Sequence, residues 1–499
     1  MALTLQQRLE RSQLKRQIAE NEAVTKRAHN YLNDNLKNTR KRKLGWTDPG
    51  RAERDLTNRD RRSAMAMARQ KVEESPLAAA IINARLDNIV GAGFKLMMRT
   101  PDVAWDTEVE NWWMLEKNRL DIRGTRPWAE LLRCWQARHD VDGDVGILLV
   151  ADVFENMPQS WVQTIEADRI AKNINDLGDT GIEFDRYGMP KAFFVLPFDI
   201  NETSPLDSQN NEKPIRYSAE NFILYQNDLT YRANRARGIS AFLQVFNLMK
   251  DHEEILDGIV QKVKNEAFIG LQFRMDANED GNVFGNAQRT ATAENGYDYS
   301  KVKMVPGMNL VLGEGESVDV LESKSPHAEF DAFEKKLISR IAMPFGFSYE
   351  LITGDFSAMN DRTARVQLKQ FEKRIRREQS QLGAVASRIF QWALSRAVKG
   401  GVLSPPSGMD DWWTHSWGRP GFPYINPIQE ANANILLLEK GLTSRTKILS
   451  DQGDEDFEGL MAELEYENQV IKDRGIVVPL VNGTSQGVAI DETTLQPQA

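Results

Sequence analysis

The chain has 499 residues, 41% apolar and 27% charged, with a formal net charge of −9. That is the composition of a folded protein of several layers and excludes a disordered polymer. The opening MALTLQQRLERSQLKRQIAE is charged throughout and lacks an apolar signal-peptide core, and no stretch approaches the ~20 apolar residues of a membrane span, so a soluble protein made inside the cell, with no membrane partner, is expected.

Charge is unevenly spread. Residues 1–71 hold 18 Lys/Arg against 8 Asp/Glu, a balance of +10 that leaves −19 for the rest. A basic N-terminal arm, residues 1–58 with KNTRKRK at 37–43, suits either nonspecific phosphate binding through counterion release or an acidic neighbouring subunit. The acidic remainder suits a machine that surrounds nucleic acid better than one that grips it.

In chain order, residues 59–89 have helical periodicity interrupted at Pro76, and GAGFKLMMR then alternates as a strand. Residues 106–118 and 126–139 read as helices. The second carries the single cysteine, Cys134, which reads as a core thiol and excludes an intramolecular disulfide. VGILLVAD and WVQTIEAD read as buried strands, with GDVG and NMPQS as turns, and GIEFDRYGMPKAFFVLP as a hairpin turning at Arg186 to Pro190. The fold class is therefore α+β.

From Ile239 to about Phe268 there is no proline and one internal glycine, Gly258, which predicts a helix of roughly 45 Å. Residues 270–315 turn rich in Gly, Asn and Asp, with Leu271 to Met275 and Val302 to Leu312 as strands that could pair in an inserted subdomain. A returning helix from Pro326 to Ala342 follows, then an amphipathic one over Met359 to Val398 ended by Gly400, Gly401, Pro405 and Pro406. Helices resume at Pro427 to Leu438 and Ser444 to Asp473 before a low-complexity tail.

Several patterns imitate active sites. GTSQG at 483–487 has the form of a nucleophile elbow, yet every histidine lies upstream of it. DANEDG, with Asp276, Asn278, Asp280 and Gly281, begins like a calcium loop, but its twelfth position is Ala287 where a bidentate Glu is needed. HDVDGDVG groups Asp140, Asp142 and Asp144 as a metal-dependent nuclease would, although Gly143 more simply makes a helix-to-strand turn. No phosphate loop, H-E-x-x-H or cysteine-ligand cluster occurs, so neither cofactor nor metal is expected, and a binding protein without covalent chemistry is favoured over an enzyme.

Residues 345–365, FGFSYELITGDFSAMNDRTAR, resemble the loop that follows the second stem helix in lambda-type phage portal proteins. Four more stretches resemble landmarks of that family in the same order: GIEFDRYGMPKAFFV at 181–195, RANRARGISAF at 232–242, DWWTHSWGRPGFPYINPIQEANA at 411–433 and GLTSRTKILSDQGDE at 441–455. The resemblance implies a portal fold of wing, helical stem, α/β clip and helical crown, assembled as a ring of about twelve subunits around a central DNA channel at one capsid vertex. It assigns 59–238 to the wing, 239–268 and 326–345 to the two stem helices, 270–315 to the clip, 346–400 to a tunnel loop and its long helix, 401–476 to wing and crown, and 477–499 to a tail. Implied partners are double-stranded DNA passing without sequence specificity, the large terminase, major capsid and scaffold or protease proteins, and a head-completion or connector protein. The implied location is the virion, after synthesis in the host cytoplasm.

Candidate residues follow from that assignment. The tunnel loop and the helix after it offer Gly354, Asp355, Phe356, Ser357, Met359, Arg362, Arg365 and Lys369 to DNA; Phe356 and Met359 could instead be anchors that pack the loop against a neighbour. Arg362, Arg365, Lys369, Lys373 and Arg376 share one helical face, opposite Ala364, Leu368, Phe371, Ile375 and Leu382, and a solvated stripe is the alternative to DNA contact. Asp251, Glu253, Glu254 and Asp257 would line the channel with negative charge or form a solvated outer face. Asp276, Asn278, Asp280 and Asn282 are candidates for terminase docking on the clip. The tryptophan pairs Trp112/Trp113 and Trp412/Trp413 fit a core or a subunit interface.

Overall fold

The computed structural model describes residues 58–154, 157–172, 179–197, 213–228, 235–267, 271–275, 316–320, 330–357, 361–422, 427–452 and 457–473. The basic arm, the clip candidates Asp276, Asn278, Asp280 and Asn282, the stretch Val302 to Leu312, Met359, the GTSQG segment and the tail lie outside these residues. The chain divides into two compact units. The first takes in Pro49–Ala241 and Ser357–Ala499, and the second Phe242–Phe356.

The first unit opens with helices α1 (Asn58–Glu74) and α2 (Pro76–Ile89). Pro76 sits at the start of α2, where its missing N–H costs nothing, so it separates two helices instead of kinking one. Strand β1 (Lys95–Met98) leads into α3 (Val103–Glu116), capped by Asp102, whose side chain accepts from the N–H groups of Ala104 and Trp105. Helix α4 (Trp128–Val141) then delivers the chain to β2 (Asp144–Phe154). β2 is central to a sheet, flanked by β3 (Met157–Ile165) and β7 (Phe222–Gln226), both antiparallel. Phe154 pairs with Met157, so the NMPQS segment is mostly strand and the reversal is tighter than expected.

A second sheet, β4 (Ile182–Phe184), β5 (Pro190–Val195) and β6 (Ile215–Ser218), contains the expected hairpin. The two sheets share one core of Leu148, Ile165, Ile170, Ile182, Phe193, Val195 and Phe222, with the Phe193 and Phe222 rings stacked 4.4 Å apart. At about 25 cal/mol per Å² of apolar surface, each large side chain buried here contributes about 1.5–3 kcal/mol.

The 39-residue helix α8 (Asp361–Lys399) buries Phe371, Ile375 and Leu382 of the predicted face, with Ala364 and Leu368 half-buried, and further along Ile389 and Phe390. Arg388 and Arg396 at its far end donate to the carbonyls of Ala219 and Asp152 and so tie it to the sheet edges. Strand β10 (His415–Gly418) pairs with β1, joining residues more than 300 apart. Around that closure Trp113, Trp128 and Trp135 gather with Trp417 and Phe390, mostly edge to face. Trp113 is therefore core, whereas Trp412 is half-buried and Trp413 exposed. Cys134 corrects its assignment: it is half-buried, with an Arg126 guanidinium N–H 3.4 Å from its sulfur, while Leu131, Leu132 and Trp135 take the core positions. The unit ends in α9 (Pro427–Glu439), α10 (Arg445–Gln452) and α11 (Phe457–Asp473), two helices where one was expected over Ser444 to Asp473.

In the second unit the long helix starts late. α5 spans Phe246–Ala267, preceded by a 3₁₀ turn at Ala241–Gln244. The chain cannot be helical from Ile239, because the N–H of Gly238 donates to Asp144 and that of Ile239 to the Asn227 carbonyl, which holds this stretch extended. Strand β8 (Leu271–Met275) pairs with β9 (Glu316–Val320). Helix α6 (Phe330–Ala342) and the short α7 (Tyr349–Thr353) complete the unit.

Candidate functional site

Two left-handed glycines flank the short helix α7, which leads into the loop anticipated at residues 353–361. Gly346, at φ 87°, ends a 3₁₀ turn after α6, and Gly354, at φ 73°, caps α7 with its N–H on the Glu350 carbonyl. A side chain would be strained at either position. Beyond Gly354, Asp355 is half-buried and reaches back to Lys335 of α6, Nζ to Oδ2 3.2 Å, while the same ammonium lies 5.4 Å from the centre of the Tyr349 ring. Phe356 is 52% exposed and Ser357 is exposed.

On α8 the basic stripe is partly neutralised. Glu372 stands between Lys369, 3.0 Å away, and Arg376, 2.8 Å away. Burial would raise the Glu372 carboxyl, but these two cations outweigh it and hold it below the usual range. Arg365 donates to Gln429 of α9 at 3.2 Å, and Arg376 also lies over the Phe422 ring. Lys373 and Arg377 are exposed. Arg362 falls in the first turn of α8.

The acidic residues of α5 do not form one wall. Asp251 and Glu254, one turn apart, line a groove of about 470 Å³ between α5 and α6, facing Lys336 and Arg340, with Leu248, Ile255, Phe333 and Leu337 as its floor and rim. Glu253 and Asp257 lie on a different face, the former half-buried and the latter exposed. His252 is buried, its Nε2 3.6 Å from Glu334.

The carboxylates that imitate a nuclease centre are all taken by arginines. Asp144 is fully buried and receives both arms of Arg237, at 2.7 and 2.8 Å, the N–H of Gly238 and a longer contact from Arg61. Arg237 spends its remaining donors on the carbonyls of Ala167, Ile170 and Thr180. Asp142 is held by Arg69 through two bonds of 2.9 and 2.8 Å. Asp140 is held by Arg85, which also bonds Glu378 of α8 at 2.7 Å. Gln136 and His139 complete the Asp140 shell, and the Tyr225 hydroxyl donates to Gln136.

Burial alone would raise the Asp144 and Asp140 carboxyls, but Arg237 and Arg85 respectively outweigh it, so both are held below the usual range. Arg61, buried beside the cationic Arg237, is pushed down to about 9. Arginines neutralise each of these carboxylates and occupy oxygens that a divalent cation would need, which argues against the nuclease alternative. Gly143, at φ 95°, makes the turn as expected, and a Cβ there would lie 2.5 Å from the Ile239 backbone. Likewise a Cβ on Gly238 would collide with the Gly143 carbonyl. The RARG sequence is thus one half of an interlock whose other half is DVDGD. The arginine partners escaped sequence reasoning, although three arginines among seven residues of RANRARG signal a demand for buried carboxylates.

The family model for phage portal proteins of the lambda family matches residues 39–379. Portal protein B of Escherichia phage lambda is 21% identical over 455 residues, covering 83% of this chain and 85% of that protein. The portal protein of Escherichia phage N15 is 20% identical over 480 residues, with 87% and 89% covered. Among solved structures, a chain in the neck of a native gene transfer agent particle, computed with C12 symmetry, is similar at a TM-score of 0.44 and 11% identity, covering 77% of this chain and 92% of that one.

Proposed function

This chain belongs to the lambda family of phage portal proteins, and from that membership we propose that it is one subunit of a closed ring of about twelve at a capsid vertex. It is a structural portal subunit of the virion, serving DNA packaging and ejection. The family match over residues 39–379 is the observation that carries the reading. We assign α5 and α6 to the stem, residues 270–315 to the clip, residues 353–361 to the tunnel loop, and the helices after residue 426 to the crown.

In this reading DNA slides past surfaces that do not hold it. Each neutralised phosphate would add salt-dependent affinity and therefore friction. Two features support low friction: Glu253 and Asp257 lie off the groove face of α5, and Glu372 neutralises part of the α8 stripe. Arg362, Arg365 and Lys369 then brush the DNA backbone. Asp276, Asn278, Asp280 and Asn282 meet the large terminase during packaging, and the head-completion protein replaces it afterwards. Major capsid and scaffold or protease proteins surround the ring during head assembly, which begins in the host cytoplasm.

Negative-stain imaging with mass photometry of the purified full chain tests the assembly. Rings with a central hole and a mass near a dozen subunits are expected. Monomers or dimers under all salt conditions would overturn it.

A further inference from the structure

The segment that follows β10 is pinned to the first unit. Gly418 closes the pairing with Lys95, and two residues on, the buried Gln379 of α8 donates to the carbonyls of Pro420 and Asn88, both at 3.1 Å. Arg419 lies between these ties, half-buried. Its guanidinium rests over Gly383 in the middle of α8, where an added Cβ would lie 3.4 Å from Nη2 and 3.8 Å from Nε. A glycine weakens a helix interior, and here it makes the seat on which the arginine lies.

That seat holds a cation without an anion. Among the described residues no carboxylate bonds Arg419, and its Nε is closed off from solvent without an acceptor. Its charged neighbour is Arg376, whose own charge is met by Glu372. Burial and Arg376 both push the Arg419 guanidinium below its ordinary value, so an anion brought to it from outside would offset both effects. Helix α11 has the opposite imbalance, with Glu458, Glu463, Glu465, Glu467 and Asp473 against Lys472 alone. Glu463 and Glu467, one turn apart and so on one face, are exposed, and neither has an ion pair among the described residues.

We propose that Arg419, with Arg376 beside it, receives the carboxylates of Glu463 and Glu467 from α11 of a second copy of this chain. Leu464, on the same side of α11, then comes against the half-buried Phe422, over whose ring Arg376 lies. One patch meeting a different patch on the next copy is a heterologous contact, the kind that closes a ring. The inference rests on the ring reading and names one of its contacts. A DNA phosphate would satisfy the same donors, but a guanidinium fixed so firmly would grip a strand that has to slide.

Arg419→Lys places an amine that a carbodiimide couples to a touching carboxylate, and the test uses the full assembled chain. After coupling at low salt, denaturing gels should show more linked pairs of chains than the wild type gives. Digestion of those bands should yield position 419 joined to Glu463 or Glu467. Adding Glu463→Gln and Glu467→Gln, both at exposed positions, should remove the link. Arg419→Gln should raise the fraction of free subunits in mass photometry by about two- to fivefold at low salt, the range of an exposed ion pair, and less at high salt.

Rings that form normally yet show position 419 joined to another carboxylate, a link confined to single chains, or no link at all, overturn the contact and leave the ring reading standing. Rings indifferent to Arg419→Gln, with a DNA affinity that becomes less dependent on salt, overturn it in favour of a phosphate contact. If the wild type forms no rings at any salt, the ring reading falls and the contact with it.

Discussion

Two parts of the first unit treat their side chains in opposite ways. From α1 to β7 the protein buries charge and matches it: Asp140, Asp142 and Asp144, three alternate residues at one helix-to-strand turn, are met by Arg85, Arg69 and Arg237 from three other segments. From Pro427 to Asp473 the reverse holds. No described residue there is buried, and Ile428 at 76% and Tyr466 at 72% exposure stand with Leu436 and Leu442 in open view. The first part completes its packing within the chain. The second carries exposed apolar side chains that the described residues leave uncovered.

The sharpest way to break the comparison is to remove one carboxylate from the interlock. Asp144→Ala strands the buried Arg237 guanidinium without its carboxylate, and leaving half of a buried pair costs about 3–5 kcal/mol. Urea denaturation should show that loss, with α1 and the Arg237–Gly238 segment failing together because Arg61 and Gly238 lose the same partner. Gly238→Ala, which leaves every charge in place, should cost about 1–3 kcal/mol through the clash with the Gly143 carbonyl alone. A denaturation midpoint unchanged in either variant would mean that the interlock does not hold the unit together.

The difference between the two regions also governs what sequence could reveal. Local signals were legible: Pro76 dividing two helices, Gly143 turning into β2, the Asp185-to-Met189 reversal, and the α8 periodicity over 39 residues. The arginine partners were not, because Arg237 meets Asp144 across 93 residues and Arg85 meets Glu378 across 293, and no periodicity encodes such pairs. For the same reason the carboxylate cluster resembled a metal site, and Ile239 was drawn into a helix that Asp144 and Asn227 forbid. The acidic run of α5 was legible as composition but not as geometry, since helical phase sends Asp251 and Glu254 to one side and Glu253 and Asp257 to another. The candidate loop was found by family resemblance, while its tie to Lys335 needed three dimensions.

Acid should dissect the buried part in two steps. His415 has Nδ1 2.7 Å from the Trp413 carbonyl, so that nitrogen donates, and Nε2 accepts from the Ser387 hydroxyl at 2.9 Å, which in turn accepts from the Trp417 indole. Burial lowers the imidazole below its ordinary 6.5. Its contribution to stability is therefore complete above that pH and is lost as pH falls below it, because the unfolded chain takes up the proton first. Asp140 and Asp144, held low by their arginines, contribute above the ordinary 3.8 and lose that contribution only below it. Thermal midpoints measured from pH 8 to 3 should begin a shallow fall near 6.5 and a steep one below about 4. His415→Asn should abolish the first and keep the second.

The smallest effect on the isolated fold is expected in the exposed helices, where it is the most informative. Leu436→Gln with Leu464→Gln replaces two exposed apolar side chains, 57% and 39% accessible. Surface substitutions of this kind change stability by about 0.5 kcal/mol or less, so the denaturation midpoint should stay put. If these helices are completed by neighbouring subunits, the same double variant should shift mass photometry from rings toward smaller species, because the polar groups must be dried to close the interface. A clear loss of monomer stability would instead place these side chains in the chain's own packing and erase the contrast between the two regions. Unchanged rings with an unchanged midpoint would mean that these helices meet solvent or a different protein, and that closure rests on other surfaces.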